Sequence, residues 1–155
     1  METVIEADEL QSVFDGINDQ YKAIDYGNTI KGFVEDLQQQ HSKQFQTGTD
    51  SDGNALAPLK ESTIKRKGHG IILIETEDLM NSLTQTGAKG SITEFGGRNG
   101  SVVGSLIWGT DDRTASRHQS GTSRMPARPP VGVSEVTLDK MVNDVADATV
   151  EGMKE

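Results

Sequence analysis

The sequence predicts an α+β fold: amphipathic helices packed on a small antiparallel sheet, with an extended β-hairpin and a C-terminal helix. Three observations predict it. Apolar residues recur at helical spacing before residue 47 and again after residue 134. Seven glycines fall between Gly87 and Gly109 among β-branched residues, and helical spacing disappears there. Leu106–Ser134 then holds three of the four prolines, the only Trp and a dense run of Arg, separating the hairpin from the last helix. The 155 residues fit a single domain, with helices at 6–24 and 29–46, a β-rich part with loops at 84–133, and a helix at 134–153.

The elements follow in order. Leu10, Val13, Phe14, Ile17, Tyr21 and Ile24 make one apolar face of a helix over Glu6–Ile24, which Gly16 weakens. Asp25–Asn28 is a turn in which Gly27 and Asn28 can end one helix and cap the next. Ile30, Phe33, Val34, Leu37, His41 and Phe45 form the stripe of a second helix to about Gln46. His41 could be a ligand, but a histidine on an apolar stripe reads first as a partly buried residue with a hydrogen-bond partner.

After the loop Gly48–Leu59, Lys60–Lys67 predicts a short helix capped by Ser62. Ile71–Ile74 is a short apolar run of ambiguous type. Glu77–Leu83 predicts another short helix, capped by Thr76 with Leu79, Met80 and Leu83 inward. Ser91–Phe95 and Ser101–Trp108 read as strands of a hairpin around Gly96–Gly100. Such a hairpin either reaches toward a neighbour or closes an ordinary sheet. Asp111–Gln119 is a short helix or an irregular link, and Gly121–Arg124 a flexible tip. Pro126, Pro129 and Pro130 forbid regular helix and make Met125–Val133 an edge strand or polyproline segment. Ser134 caps the final helix, with Leu138, Met141, Val142 and Val145 on its inner stripe and Glu135 suited to its dipole.

Composition narrows the class. Apolar residues make up 33% and aromatics 5%, a thin core for this length, as in chains that bury surface against other subunits. The absence of Cys excludes disulfides and thiolate metal sites and fits a reducing compartment. No apolar run is long enough for a membrane span, and the acidic N-terminus lacks the pattern of a signal peptide. A soluble protein made in a cytoplasm is expected. The net charge of −9 is uneven: residues 1–58 carry 11 acids against 3 bases, 59–133 carry 7 against 10, and 134–155 carry 6 against 2. A basic middle between acidic ends either pairs copies head to tail or solvates different faces. An acidic total argues against a dedicated duplex-DNA binder.

Candidate chemistry is sparse. Asp50, Asp52, Asn54 and Glu61 fall at positions 1, 3, 5 and 12 of a calcium-loop frame, but Ala55 stands where the sharp turn requires Gly and Pro58 occupies position 9. A polar turn is the plainer reading of this weak calcium candidate. Lys65, Arg66 and Lys67 could meet a phosphate backbone or simply face solvent. Gly96-Gly97-Arg98-Asn99-Gly100 lacks the Gly-Lys-Ser/Thr of a phosphate loop. His118 has no nucleophile in a recognised motif beside it, and paired-histidine metal spacing is absent. Asp111, Asp112 and His118 could in principle form a metal nuclease site, yet these residue types are ordinary in polar loops. No cofactor or catalytic residue is expected.

Two blocks of short motifs, in order, resemble a known family. The first comprises Asp52-Gly53, Pro58-Leu59, Thr63-Ile64, Lys67 and Leu79-Met80-Asn81-Ser82-Leu83. The second comprises Gly109-Thr110, His118-Gln119-Ser120-Gly121 and Pro126-Ala127-Arg128-Pro129. Together they resemble the phage virion morphogenesis family, the tail-completion proteins that include the protein G type of Mu-like phages, over about residues 27–150. Leu56 departs from an expected Trp, Glu75-Thr76-Glu77 only partly keeps a Thr-Gly-x-Leu pattern, and Arg113-Thr114-Ala115 lacks the usual Tyr before Ala.

The resemblance implies a structural virion protein and not an enzyme: a tail-completion or neck component, head–tail joining or tail-terminating, assembled as a homomeric ring. A homo-hexamer matches tail symmetry. The implied partners are other neck and tail proteins (tail tube, connector or portal-proximal proteins), with DNA only passing through the channel and no membrane. The implied location is the virion neck or tail. Trp108, His118, Gln119, Arg124, Pro126 and Arg128 are the candidates for the shared core or partner contact, and Arg124 and Arg128 could pair with carboxylates of an adjacent subunit. Trp108 as plain core and Arg128 as a local turn-fixer are the alternatives. A second function is a DNA-contacting head-completion or capsid-assembly factor using Lys65–Lys67, Arg98, Arg117 and Arg124.

Overall fold

The computed structural model describes residues 11–12, 15–17, 19, 24–98 and 101–154. Within the helix expected over 6–24, residues 11, 12, 15–17 and 19 are helical, and Leu10, Val13, Phe14 and Tyr21 lie outside the described residues. The architecture is α+β, as the periodicities predict. Helix α1 (Gly27–Thr47) buries Ile30, Val34, Leu37, His41, Gln44 and Phe45 along one side. Its start is set by Asp25, whose carboxylate accepts from the Gly27 N–H at 2.7 Å, and not by an Asn28 cap. Its end is a left-handed Gly48, whose N–H donates to the Gln44 carbonyl at 2.8 Å.

Short helices α2 (Glu61–Lys67) and α3 (Asp78–Thr84) follow. Neither has the side-chain cap expected of it. Ser62 is already inside α2, with extended Lys60 preceding the helix, and Thr76 is displaced by a left-handed Glu77 (φ 62°) at the start of α3. Ile71–Ile74 forms turns, with Leu73 also at positive φ and packed on the core. Strands β1 (Ser91–Arg98) and β2 (Ser101–Thr110) make a two-stranded antiparallel ribbon, longer than the spacing indicated. Thr93 pairs with Trp108 and Phe95 with Leu106, and a register shift lies between Gly96 and Arg98. Asn99 and Gly100 of the expected tip lie outside the described residues.

One correction concerns the sheet. Residues 125–133 do not add a strand: the segment has an isolated bridge between Thr122 and Met125, and nothing else of it pairs as sheet. Three prolines remove ladder donors, and Val131 and Gly132 bond to side chains while Arg128 bonds to the His118 carbonyl. Helix α4 (Arg113–Ser120) begins at Asp112, which accepts from the Thr114 N–H at 2.7 Å. Helix α5 (Glu135–Gly152) begins at Ser134, whose hydroxyl accepts from the Thr137 N–H at 3.1 Å, the cap the sequence predicts.

The core has two parts. Phe45, Leu79, Leu83 and Ala115 meet between α1, α3 and α4, with Trp108 and Val131 against them. Ile24, Tyr26 and Ile30 meet Phe33, Leu106, Val145 and Ala148 where α5 lies on α1. The expected inner stripe of α5 is partly wrong. Leu138 and Val142 are 53% and 59% exposed, and the inner face is Met141, Val145, Ala148 and Thr149. Polar anchors set this rotation: Lys140 bridges Asp36 at 2.8 Å, the Tyr26 hydroxyl bonds Thr149 at 2.8 Å, and Gly152 abuts Ile24.

Candidate functional site

The turn after α1 fixes one wall of the site. The Asp50 carboxylate accepts from the backbone N–H groups of Asp52 (3.0 Å) and Asn54 (2.8 Å) and from the Asn54 amide (3.2 Å). Desolvation raises its pKa, but the hydrogen bonds from Asn54, Asp52 and Gly53 together outweigh it and hold the pKa below the ordinary value. The carboxylate that would head a calcium loop therefore organises its own turn, and Glu61, in α2, pairs with Lys65 at 3.1 Å. Among the described residues no group of three or more His, Asp or Glu is arranged to hold a metal. Leu56, at the position of the expected Trp, is buried.

Arg128 ties the two motif blocks together. It is buried, and its Nε and Nη2 donate to the carbonyl oxygens of Ala57 (2.6 Å) and Pro58 (2.7 Å). Its own N–H donates to the His118 carbonyl at 2.7 Å. A planar guanidinium suits two adjacent acceptors, and no carboxylate among the described residues shares it. Gln119 clamps the next stretch, giving Nε2 to the Val131 carbonyl (2.9 Å) and taking the Val131 N–H on Oε1 (3.2 Å). Gln40 does likewise from α1, bonding the Gly132 carbonyl (2.9 Å) and the Ser134 N–H (3.0 Å). These bonds replace the missing sheet ladder. Ser82 and Thr110, one from each block, share a 2.8 Å hydrogen bond.

Between these walls lies a cleft of about 600 Å³, bounded by α2, α3, α4 and the 122–126 turn. Leu59, Leu73, Leu79, Met125 and Pro126 give it an apolar part. Three of its four acids are engaged, Glu75 with Arg66 at 2.6 Å, Asp78 with Lys89 at 3.8 Å and Asp112 as the cap of α4, while Glu77 has no ion pair among the described residues. The Arg66 bond holds Glu75 below the usual carboxylate range, and the Thr114 hydroxyl does the same for Asp112. Its bases are less so. Lys60 and Lys67 donate to the backbone carbonyls of Arg124 and Ile71, and Arg117 and Arg124 have no carboxylate within 4.0 Å among the described residues. His118 lines the cleft with a buried, unpartnered Nδ1; burial first, then the charges of Arg128 and Lys67, lower its pKa and keep it neutral near pH 7.

The six contact candidates therefore divide. His118, Arg124, Pro126 and Arg128 line the cleft, Gln119 lies outside it on α4, and Trp108 packs inside against the core. Sequence reasoning missed Gln40, one polar residue in a Gln run, and the cleft itself, which comes from three separate segments meeting. The cleft sets an apolar part beside charged side chains of both signs.

A family model described as the phage virion morphogenesis family matches residues 5–151. The chain belongs to the phage virion morphogenesis family. Membership supports a role in phage virion assembly, structural rather than catalytic, for a virion-associated protein. Searches of curated proteins and of solved structures return no match. Within this family member, no described helix is long and apolar enough to cross a membrane.

Proposed function

We propose that this virion morphogenesis protein is a tail-completion or neck component, joining head to tail or terminating the tail, and that it works as a homomeric ring. The family match across nearly the whole chain carries the proposal. The structure supports it in kind. The signature residues wall a cleft, and α5 leaves Leu138, Val142 and Val150 more than half exposed. A hexamer matches tail symmetry, with tail-tube and connector or portal-proximal proteins as neighbours and DNA confined to the channel. Arg124 and Pro126 would meet the neighbouring copy, while Arg128, Gln119, His118 and Trp108 hold the surface that presents them.

The DNA-contacting reading has less support. Lys65 and Arg66 are paired with Glu61 and Glu75, and the Arg98 side chain lies outside the described residues. Electron microscopy of the purified full chain tests the ring: closed particles with a central opening are expected, and a monomer at every concentration contradicts it. Immunogold label at the head–tail junction of virions is expected alongside.

A further inference from the structure

On the reading that copies assemble, the structure leaves two surfaces whose chemistry matches. The first is the outer face of α5. Leu138, Val142, Ala146 and Val150 recur every fourth residue, an exposed stripe about 18 Å long. Glu135, Asp139 and Asp147 accompany it, each exposed and with no base within 4.0 Å among the described residues. The adjoining face of α5 is already used, held on α1 by Lys140–Asp36 and Tyr26–Thr149. The second surface is the cleft, with apolar Leu59, Leu73 and Met125; among the described residues Arg117 and Arg124 have no ion pair there, two cations against the single free carboxylate of Glu77.

We propose that α5 of one copy docks at the cleft of a second copy, the Leu138–Val150 stripe against its apolar part and Asp139 and Asp147 toward Arg117 and Arg124. The helix is the acidic, apolar-striped counterpart of a basic-rimmed apolar cleft. Within one copy α5 is fixed on α1 while α2, α3 and α4 wall the cleft, so the helix comes from elsewhere. The two patches differ, which makes the contact heterologous: each copy offers a helix and accepts one, and the arrangement closes into a ring when the rotation per copy divides a full turn. Opposite charges at its rim set register and partner choice more than affinity.

The test is a charge exchange in the full chain, read by sedimentation velocity, with circular dichroism confirming that each variant folds. D139K/D147K alone and R117E/R124E alone should each weaken self-association by roughly tenfold or more, since like charges then face each other. The fourfold variant, or an equimolar mixture of the two double variants, should recover it. An assembled wild type whose association is unmoved by R117E/R124E overturns the pairing and leaves the ring reading standing. That result is also the one expected if the chain's own N-terminal segment covers the stripe. Failure of both the fourfold variant and the mixture to recover likewise overturns it. A wild type that stays monomeric at every concentration removes the ring reading and the pairing with it.

Discussion

Trp108 lies tilted across His41, ring centroids 4.6 Å apart and planes at 53°. His41 is completely buried, its Nδ1 2.7 Å from the Leu37 carbonyl and its Nε2 accepting weakly from the Gly132 N–H at 3.4 Å. Those partners require the neutral ring with the proton on Nδ1. Helix α1, strand β2 and the proline segment thus meet on one imidazole.

The pH dependence follows from that burial. Desolvation lowers the His41 pKa, only partly opposed by the Leu37 bond, and burial lowers His118 as well. An unfolded histidine protonates near pH 6.5 and these folded ones do so lower, so the unfolded chain binds more protons as pH falls. Their contribution is intact above about pH 6.5 and is lost as pH drops through the depressed folded values. Urea unfolding followed by the emission of the sole Trp should show a lower midpoint at pH 5.5 than at 7.5. An unchanged midpoint contradicts the neutral-ring assignment.

Arg128 should be the costliest polar side chain to remove. Hydrogen bonds from a charged donor contribute about 1.5–3 kcal/mol each, and truncation strands the carbonyls of Ala57 and Pro58. Arg128→Ala is expected to lose about 2–4 kcal/mol, and Arg128→Lys less, because one ammonium does not reproduce the fork. Equal stability of wild type and Arg128→Ala in chemical denaturation contradicts this role.

Gly121 should not tolerate a side chain. Its φ of 70° and ψ of −177° are reached almost only by glycine, and an added Cβ would meet the Ala127 nitrogen at 2.7 Å and the Met125 oxygen at 2.9 Å. Both are backbone atoms. Gly121→Ala should destabilise by about 2 kcal/mol or more and open the turn that carries Arg124. A thermal midpoint within a degree of wild type counts against it.

Glu77 gives a prediction of opposite sign. In the Thr76–Leu79 stretch it stands where the resembled Thr-Gly-x-Leu pattern has Gly, and its φ is 62°. A left-handed non-glycine residue costs about 1–2 kcal/mol, against about 0.5–1 kcal/mol of extra chain entropy for glycine. Glu77→Gly should therefore stabilise by about 0.5–1 kcal/mol, seen as a raised thermal midpoint; a lowered one would refute the assignment.

Periodicity made α1 legible almost residue by residue, because Ile30, Val34, Leu37, His41 and Phe45 face a core that local spacing can register. It failed on α5, where Val142 looked inward by spacing alone. The rotation there is decided by Lys140, Thr149 and Gly152 meeting residues more than a hundred positions away. Its prolines mark the 125–133 segment as extended, but whether it joins the sheet depends on Gln40 and Gln119, whose amides replace the ladder. The cleft was the least legible feature. Pro58, His118 and Arg128 were visible as motif pieces, and their meeting is a matter of tertiary contact.

The central claim is tail completion, and electron microscopy of a lysate from the parent phage with this gene deleted tests it most directly. Full heads beside unattached or overlong tails are the predicted result, with tail length separating a joining role from a terminating one. Normal joined virions would contradict the account, and missing or aberrant heads would move the protein to capsid assembly.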